Sequence, residues 1–499
     1  MTELLPEPFL DRAIPKVMRT PRHRIAGIIG LLVGLFAGPA CPATSSVIRC
    51  DGRALGANDG SDWANAFTCL QSALAVARPG DEIRVAQGTY KPDRHGEEVP
   101  HGARVVASGR RTDSFVLPSG VTLRGGYAGF GAADPDARDI DAFKSVLSGD
   151  LAGNDIPPAG DDWQSIHDFV LDNSRADNSQ SVLTVSSAGN TSLLEGFTIT
   201  GGHAGLDSGA EADGSTASAA RDGAGAFIVA SSPRFVHCTF KLNTARASEG
   251  DAAGGAGVLS ASASPTFAEC LFQENFVLGV GGTGLGGAIR AVRSNATLVG
   301  CTFVGNAVIG SNGRHCGGAL ANFASNPTVK DCVFEGNTAD LGGAIYNSDS
   351  SSPKITGCTF LGNSGTERGG AIHNGSNCAP TMMACSFVGN TAASEGGAMC
   401  GSGQPHFLNC LFSANAASNG AAAFIESSGN AYFTNCTIRA NRADQHGGAI
   451  YGLESTSRVA NSILWANAPE EVYLVNGTAE ITCSAIQDVW AGKGNMHSD

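Results

Sequence analysis

In the second half of the chain, apolar side chains come in short alternating runs that return about every 26 residues. Each unit holds an apolar residue, then two further positions, then Cys, any residue and Phe. The apolar position is Phe235, Phe267, Leu298, Val329, Ile355, Met382, Phe407, Phe433 and Val459 in successive units. The cysteines are Cys238, Cys270, Cys301, Cys332, Cys358, Cys385, Cys410 and Cys436, and Ser462 continues the series. Two positions on stand Phe240, Phe272, Phe303, Phe334, Phe360, Phe387 and Phe412, followed by Ile438 and Leu464. Cys and the residue after next share one face of a strand. The offset of three to the earlier apolar residue breaks that period and predicts a tight corner between two short strands.

Three residues beyond each Phe, or its Ile438 replacement, comes Asn: Asn243, Asn275, Asn306, Asn337, Asn363, Asn390, Asn415 and Asn441. An Asn at a corner tolerates left-handed backbone angles and hydrogen-bonds main-chain groups, so stacked copies predict an asparagine ladder with a structural role. A Gly-Gly-Ala triplet starts at Gly254, Gly286, Gly317, Gly342, Gly369, Gly396 and Gly447, with a degenerate copy at Gly420. Its glycines suit a bend, and the Ile, Leu or Met that usually follows suits a third strand.

From the first Gly of each triplet to the next Cys, or to Ser462 in the last unit, is always 14 to 16 positions. From Asn to the next Gly-Gly, ten residues intervene in the first three units and four or five later. A fixed arm is what stacked strands require, and the variable arm reads as a surface loop. Three short strands per turn predict an all-β chain, a single-stranded right-handed parallel β-helix with regular repeats over 224–499.

Residues 44–202 read as a cap and irregular first rungs. Trp63 to Ala77 repeats Phe67, Leu70, Leu74 and Ala77 on one helical face, which suits a cap over the open apolar end of a solenoid. Strand-like runs follow at residues 82–90, 114–127, 181–187 and 193–202, and 203–223 reads as a flexible Gly, Ala and Ser rich loop. A last weak strand falls at Ile481 to Ile486. The chain reaches Asp499 without the long alternating strands of a membrane barrel. An uncovered last rung would favour a partner or end-to-end self-association.

Residues 1–43 have the parts of an export signal. Arg19, Arg22 and Arg24 precede the apolar run Ile25 to Ala37, with small residues at Ala40 and Ala43. The apolar run is too short to span a bilayer, so no transmembrane segment is expected once the signal is removed. Translation from Met18 would give a more conventional signal. Cys41 invites lipidation, but Gly38 and Pro39 stand where a lipid box wants an aliphatic residue, so plain cleavage is expected.

The segment from 238 to 467 resembles the repeats of chlamydial polymorphic outer-membrane proteins, in which GGAI and FxxN alternate. The opening GANDGSDWANAFTCLQSALAVARPGDEIRVAQGTYKP, with LRGGYAGFG and VLSGDLAGND, resembles the amino-terminal half of large secreted β-helix proteins of environmental bacteria. These resemblances imply a pectin-lyase-like fold, export, and an extracellular or outer-membrane-associated role, without a known ligand. The chain departs from the polymorphic proteins in lacking their carboxy-terminal barrel.

A formal net charge of −14 argues against nucleic acid, whose binding rests on clustered Lys and Arg. Catalytic patterns are thin. The one R-x-P-x-x-R string, Arg19 to Arg24, lies in the signal. Asp161 and Asp162 are adjacent, but neither His167 nor His446 has a matching hydrolase setting. Asp150, Asp155, Asp161 and Asp162, with Asn154, form the candidate calcium loop, set against a reading as a solvated acidic loop. Asn58, Asp59, Gly60 and Asp62 read as a turn first and a metal site second.

The Cys column is expected to hold buried free thiols acting as small apolar side chains, because stacked strands hold neighbours about 4.8 Å apart, beyond disulfide reach. Cys50 and Cys69, flanking the cap helix, are the pair expected to bridge in an exported chain. The expected function is therefore a non-enzymatic exported or cell-surface β-helix in adhesion, envelope structure or carbohydrate contact, with a carbohydrate or cell-surface partner and no cofactor beyond that candidate calcium. The alternative is a polysaccharide lyase or glycoside hydrolase. Any binding face is placed on the long arms Thr244 to Ala253, Phe276 to Leu285 and Ala307 to Cys316, set against a reading of them as unselected insertions.

Overall fold

The computed structural model describes residues 45–99, 102–186, 191–205 and 222–497. The expected leader, with Met18 and Cys41, and most of the loop placed at 203–223 lie outside these residues.

Four parallel sheets of 14, 13, 12 and 12 strands run along the described chain, and successive rungs add one strand to each in turn. One rung shows the plan: Lys354–Thr356, Thr359–Leu361, Ser364–Arg368 and Ile372–Asn374, before Thr381–Met383 rejoins the first sheet. The protein is a right-handed parallel β-helix. Each rung carries four strands where the sequence pattern suggests three. The fourth lies in the arm read as a loop: Thr244–Ala247, Phe276–Val280 and Ala307–Ser311 pair in register. Once the adjoining asparagines are stacked, the backbone groups of one arm face those of the next at ladder spacing. The arms then form strands without needing an apolar alternation of their own.

The three long arms double back as a second short strand each, Ala252–Gly254, Thr283–Leu285 and His315–Cys316. Together they build a lobe with its own small core of alanines and Val277 and Val308. At Thr338–Leu341 the arm shortens and the lobe ends in a step.

Phe240, Phe272, Phe303, Phe334, Phe360, Phe387 and Phe412 stack along the main core, with neighbouring rings about 5 Å apart and within 8° of parallel. The asparagines form a continuous buried ladder from Asn243 to Asn467. From Asn243 to Asn441 each Nδ2 donates to the Oδ1 of the next rung at 2.8–3.0 Å, and all nine, Asn467 included, also donate to the carbonyl of the Phe or Ile in the preceding rung. The left-handed angle, however, belongs to the residue before each Asn, such as Leu242, Glu274 and Gly305. The turn puts the left-handed angle on a residue outside the ladder, a glycine in four rungs, and leaves Asn free to satisfy the corner's polar groups.

The cysteine column is buried and free, but its thiols do more than fill space. Each Sγ donates to the carbonyl two residues earlier, as in Cys270 to Ala268 at 3.4 Å and Cys332 to Lys330 at 3.2 Å. Ser462 and Ser484 make the same bond to Ala460 and Thr482 at 2.8 Å. The column is a row of corner donors in which sulfur and oxygen interchange.

The cap helix, α1, spans only Leu70–Val76. The preceding residues are held in a turn where Asp62 accepts from the Asn65 amide at 2.8 Å, and Trp63 packs on Tyr127 instead of joining the helix. A second helix, α2 at Trp163–Leu171, escapes the sequence reading. At the far end, residues 490–496 return over the last rung. Cys483 donates to the Lys493 carbonyl, Met496 donates to Ser484, and Trp490 packs on the core. That rung is therefore partly covered, contrary to the bare end expected from sequence.

Candidate functional site

Two residue positions around each Gly-Gly bend build the principal concavity. The first precedes the glycine pair and stacks as Leu341, Arg368, Glu395, Asn419 and His446 on successive rungs. The second lies on the outward face of the fourth sheet and stacks as Arg290, Ala321, Tyr346, His373, Cys400, Phe424, Tyr451 and Tyr473. The alternate positions, Ile289, Leu320, Ile345, Ile372 and Met399, point into the core, so the pleat fixes the outward set on a rigid surface.

A cleft of about 620 Å³ opens over this face beyond the step at the end of the lobe. Its floor is the ring pair Tyr346 and His373, stacked at 5.5 Å and 7° from parallel. One wall comes from the turns entering the fourth sheet, with Asp340, Glu367, Arg368 and the overhanging Arg314. The other comes from Asp349, Ser350, Ser376 and Asn377, with Glu426 two rungs on. Behind the floor a second, shorter ladder runs from Asn322 to Asn347 at 2.9 Å and from Asn347 to Asn374 at 2.8 Å, pinning the strands that carry the rings.

Arg368 sits between two acids, its Nε 2.9 Å from Glu395 and its Nη1 3.4 Å from Glu426. Burial works against the guanidinium charge, but the two carboxylates outweigh it and raise its proton affinity. Burial raises Glu395, with Arg368 opposing. Asp340 accepts from His315 Nδ1 and from Thr366 Oγ1, each at 2.5 Å. These bonds overcome its burial and hold its carboxyl below the usual range. Burial, with Arg368 and Arg314 beside it, pushes His373 down to about 3, so the ring is neutral. The cleft thus presents a caged guanidinium and carboxylates over a floor of packed rings, with Tyr346 only 6% exposed.

The expected binding arms are ordered strands, and Phe276 is buried in them against α2. Helix α2 docks on these arms through Ile166, Phe169 and Val170, so the acidic loop and the long arms, read separately in the sequence, form one surface. Between that loop and the second sheet lies a groove of about 530 Å³ lined by Lys144, Asp150, Asp155, Arg175, Thr200 and Lys241 among others. The structure gives the candidate calcium ligands separate tasks. Asp150 accepts backbone amides of residues 153 to 155, and Asp155 pairs with Arg175 at 2.8 Å. Asp162 caps α2, and Asp161 is exposed. Among the described residues no group of three or more His, Cys, Asp or Glu is placed to hold a metal. Asn58, Asp59 and Asp62 accept local hydrogen bonds as turn residues do.

Cys50 and Cys69 are both buried in the cap as free thiols, and Cys69 donates to the Arg94 carbonyl at 2.9 Å. His167 stacks on Trp163, and His446 stacks on Tyr473 with its Nδ1 3.2 Å from Glu470.

The cleft residues were visible in the sequence at two fixed offsets from each Gly-Gly. The residue before the pair turns from apolar, at Leu285, Cys316 and Leu341, to polar at Arg368, Glu395, Asn419 and His446. Four positions after the first Gly come Tyr346, His373, Phe424 and Tyr451. Attention to what the repeats share hides this column, because function sits where they differ.

The family model for the right handed beta helix region matches residues 253–417. Among solved structures, a pectate lyase aligns over 88% of this chain and 79% of its own, with 12% identity and a TM-score of 0.35. A rhamnogalacturonan lyase aligns over 88% and 87%, with 13% identity and a TM-score of 0.29. No curated protein matches. No helix among the described residues is long and apolar enough to cross a membrane.

Proposed function

We propose that this right-handed β-helix is an exported, non-enzymatic protein that contacts carbohydrate through the cleft over Tyr346 and His373. The observation that carries the reading is the stacked ring pair on a rigid sheet face, walled by carboxylates and guanidiniums from two series of turns. The partly apolar floor, of which Tyr346 is largely buried, takes C–H groups of a sugar, and the flanking polar groups take its hydroxyls. Three acids bordering the cleft are engaged, Glu395 and Glu426 on Arg368 and Asp340 on His315 and Thr366. That suits fixed hydrogen-bond acceptors better than a carboxyl pair exchanging protons with substrate. Export rests on the leader pattern of residues 1–43.

The alternative, a polysaccharide lyase or hydrolase, would use the groove beneath α2. There burial raises Asp155, against the pull of Arg175, toward the protonated state a general acid needs. The test is to incubate residues 44–499 with neutral and acidic polysaccharides, reading binding by calorimetry alongside reducing ends and ultraviolet absorbance of unsaturated ends. Binding without product is expected, and product from any substrate would overturn the non-enzymatic reading.

A further inference from the structure

The charges of the same cleft narrow its ligand, an argument that rests on the carbohydrate reading. Asp340, Asp349, Glu367 and Glu426 face only two cations, Arg314 and Arg368, and Arg368 is already shared between Glu426 and Glu395. The neutral His373 adds no positive charge. Glu367 is exposed at the rim and makes no side-chain hydrogen bond or ion pair among the described residues. A concave, partly desolvated site concentrates such a field, and the whole chain reinforces it with a net charge of −14. A polyuronate would enter against this potential. An ammonium group would enter with it.

We infer that the cleft selects a glycan bearing free amino groups. The sugar ring lies on Tyr346 and His373, and its ammonium groups meet Glu367 and Asp349. Arg314, on the overhang of the lobe, remains for hydroxyls or a carbonyl of the same ligand.

The experiment is calorimetry of residues 44–499 with three probes at mildly acidic pH: a glucosamine oligomer, the fully N-acetylated oligomer of the same length, and a galacturonate oligomer. The glucosamine oligomer is expected to bind at least about tenfold tighter than the acetylated one. The gap should shrink as salt is raised to about 0.15 M, because exposed charges are screened there. The double substitution Glu367→Gln with Asp349→Asn should close the gap by weakening the glucosamine oligomer toward the affinity of the acetylated one. Glu335→Gln, on the second sheet, should leave the gap intact and so separates the cleft from general attraction to an acidic protein. Equal affinity for both oligomers, or a gap the double substitution does not touch, overturns the amine inference while the glycan reading stands. If none of the three probes binds, the glycan reading falls with it.

Discussion

Asn467 ends the long asparagine ladder by donating its Nδ2 to Oε2 of Glu471 at 2.5 Å, and its backbone amide reaches Oε1 of the same carboxylate at 3.3 Å. A carboxylate therefore stands where the next rung would supply another asparagine. Glu471 is 1% exposed. Burial pushes its carboxyl up to about 7, the bonds from Asn467 oppose this, and nearby Asp488 adds to it.

The fold therefore prefers Glu471 protonated, while the unfolded chain releases the proton at ordinary carboxyl pH. Its contribution to stability is fully present below about pH 4.5 and is lost as pH rises toward 7, a change of about 3 kcal/mol from such a shift. Hydrogen-exchange protection of the last three rungs, measured relative to the intrinsic exchange rate at each pH, should fall between those limits. Glu471→Gln should make those rungs insensitive to pH in this range, and an unchanged pH profile in that variant would dismiss the carboxylate as the cause.

Interior ladder positions should be costlier than core volume alone suggests. Asn363 bonds to Asn337, Asn390 and the Phe334 carbonyl. Asn363→Ala should leave several buried groups unpaired and cost about 2–4 kcal/mol. Because a solenoid unfolds in segments, the loss should be read as local exchange around rungs 337–390 as well as in the overall denaturation midpoint.

The corner thiols should accept oxygen but not carbon. Cys332→Ser should lie within about 1 kcal/mol of the parent, since Ser462 already fills the same role, whereas Cys332→Ala should lose about 1 kcal/mol for its missing bond. In a thiol titration of the native protein, Cys483 alone is exposed among the described cysteines and should react first. The rest, Cys50 and Cys69 included, should appear only in denaturant.

In the lobe, a Cβ on Gly310 would fall 2.0 Å from the Gly279 carbonyl and 2.3 Å from His315 Nε2. Gly310→Ala should therefore disorder the overhang that carries Arg314, lowering glycan affinity several-fold while the rungs after Asn363 keep their protection. Unaltered affinity in that variant would separate Arg314 from the cleft.

The repeat was legible because it is written in residue types that stacking demands: Phe for the core, Asn for the ladder, and Cys or Ser for the corner. The fourth strand was not, because segments such as Thr338–Leu341 pair through backbone placed by their neighbours and need no alternation of their own. Helix α2 is short, and Asp162, its capping residue, was weighed as a calcium ligand. The cleft was hidden for another reason. Tyr346 and His373 occupy a position that in the neighbouring rungs holds Ala321 or Cys400, so no shared motif marks it.

Each arm between an asparagine and the next glycine pair is closed at both ends by contacts that do not depend on what lies between. Lengthening or trimming one arm during the history of the gene would reshape the wall of the cleft while the stack kept its register. The architecture separates what may drift from what must stay.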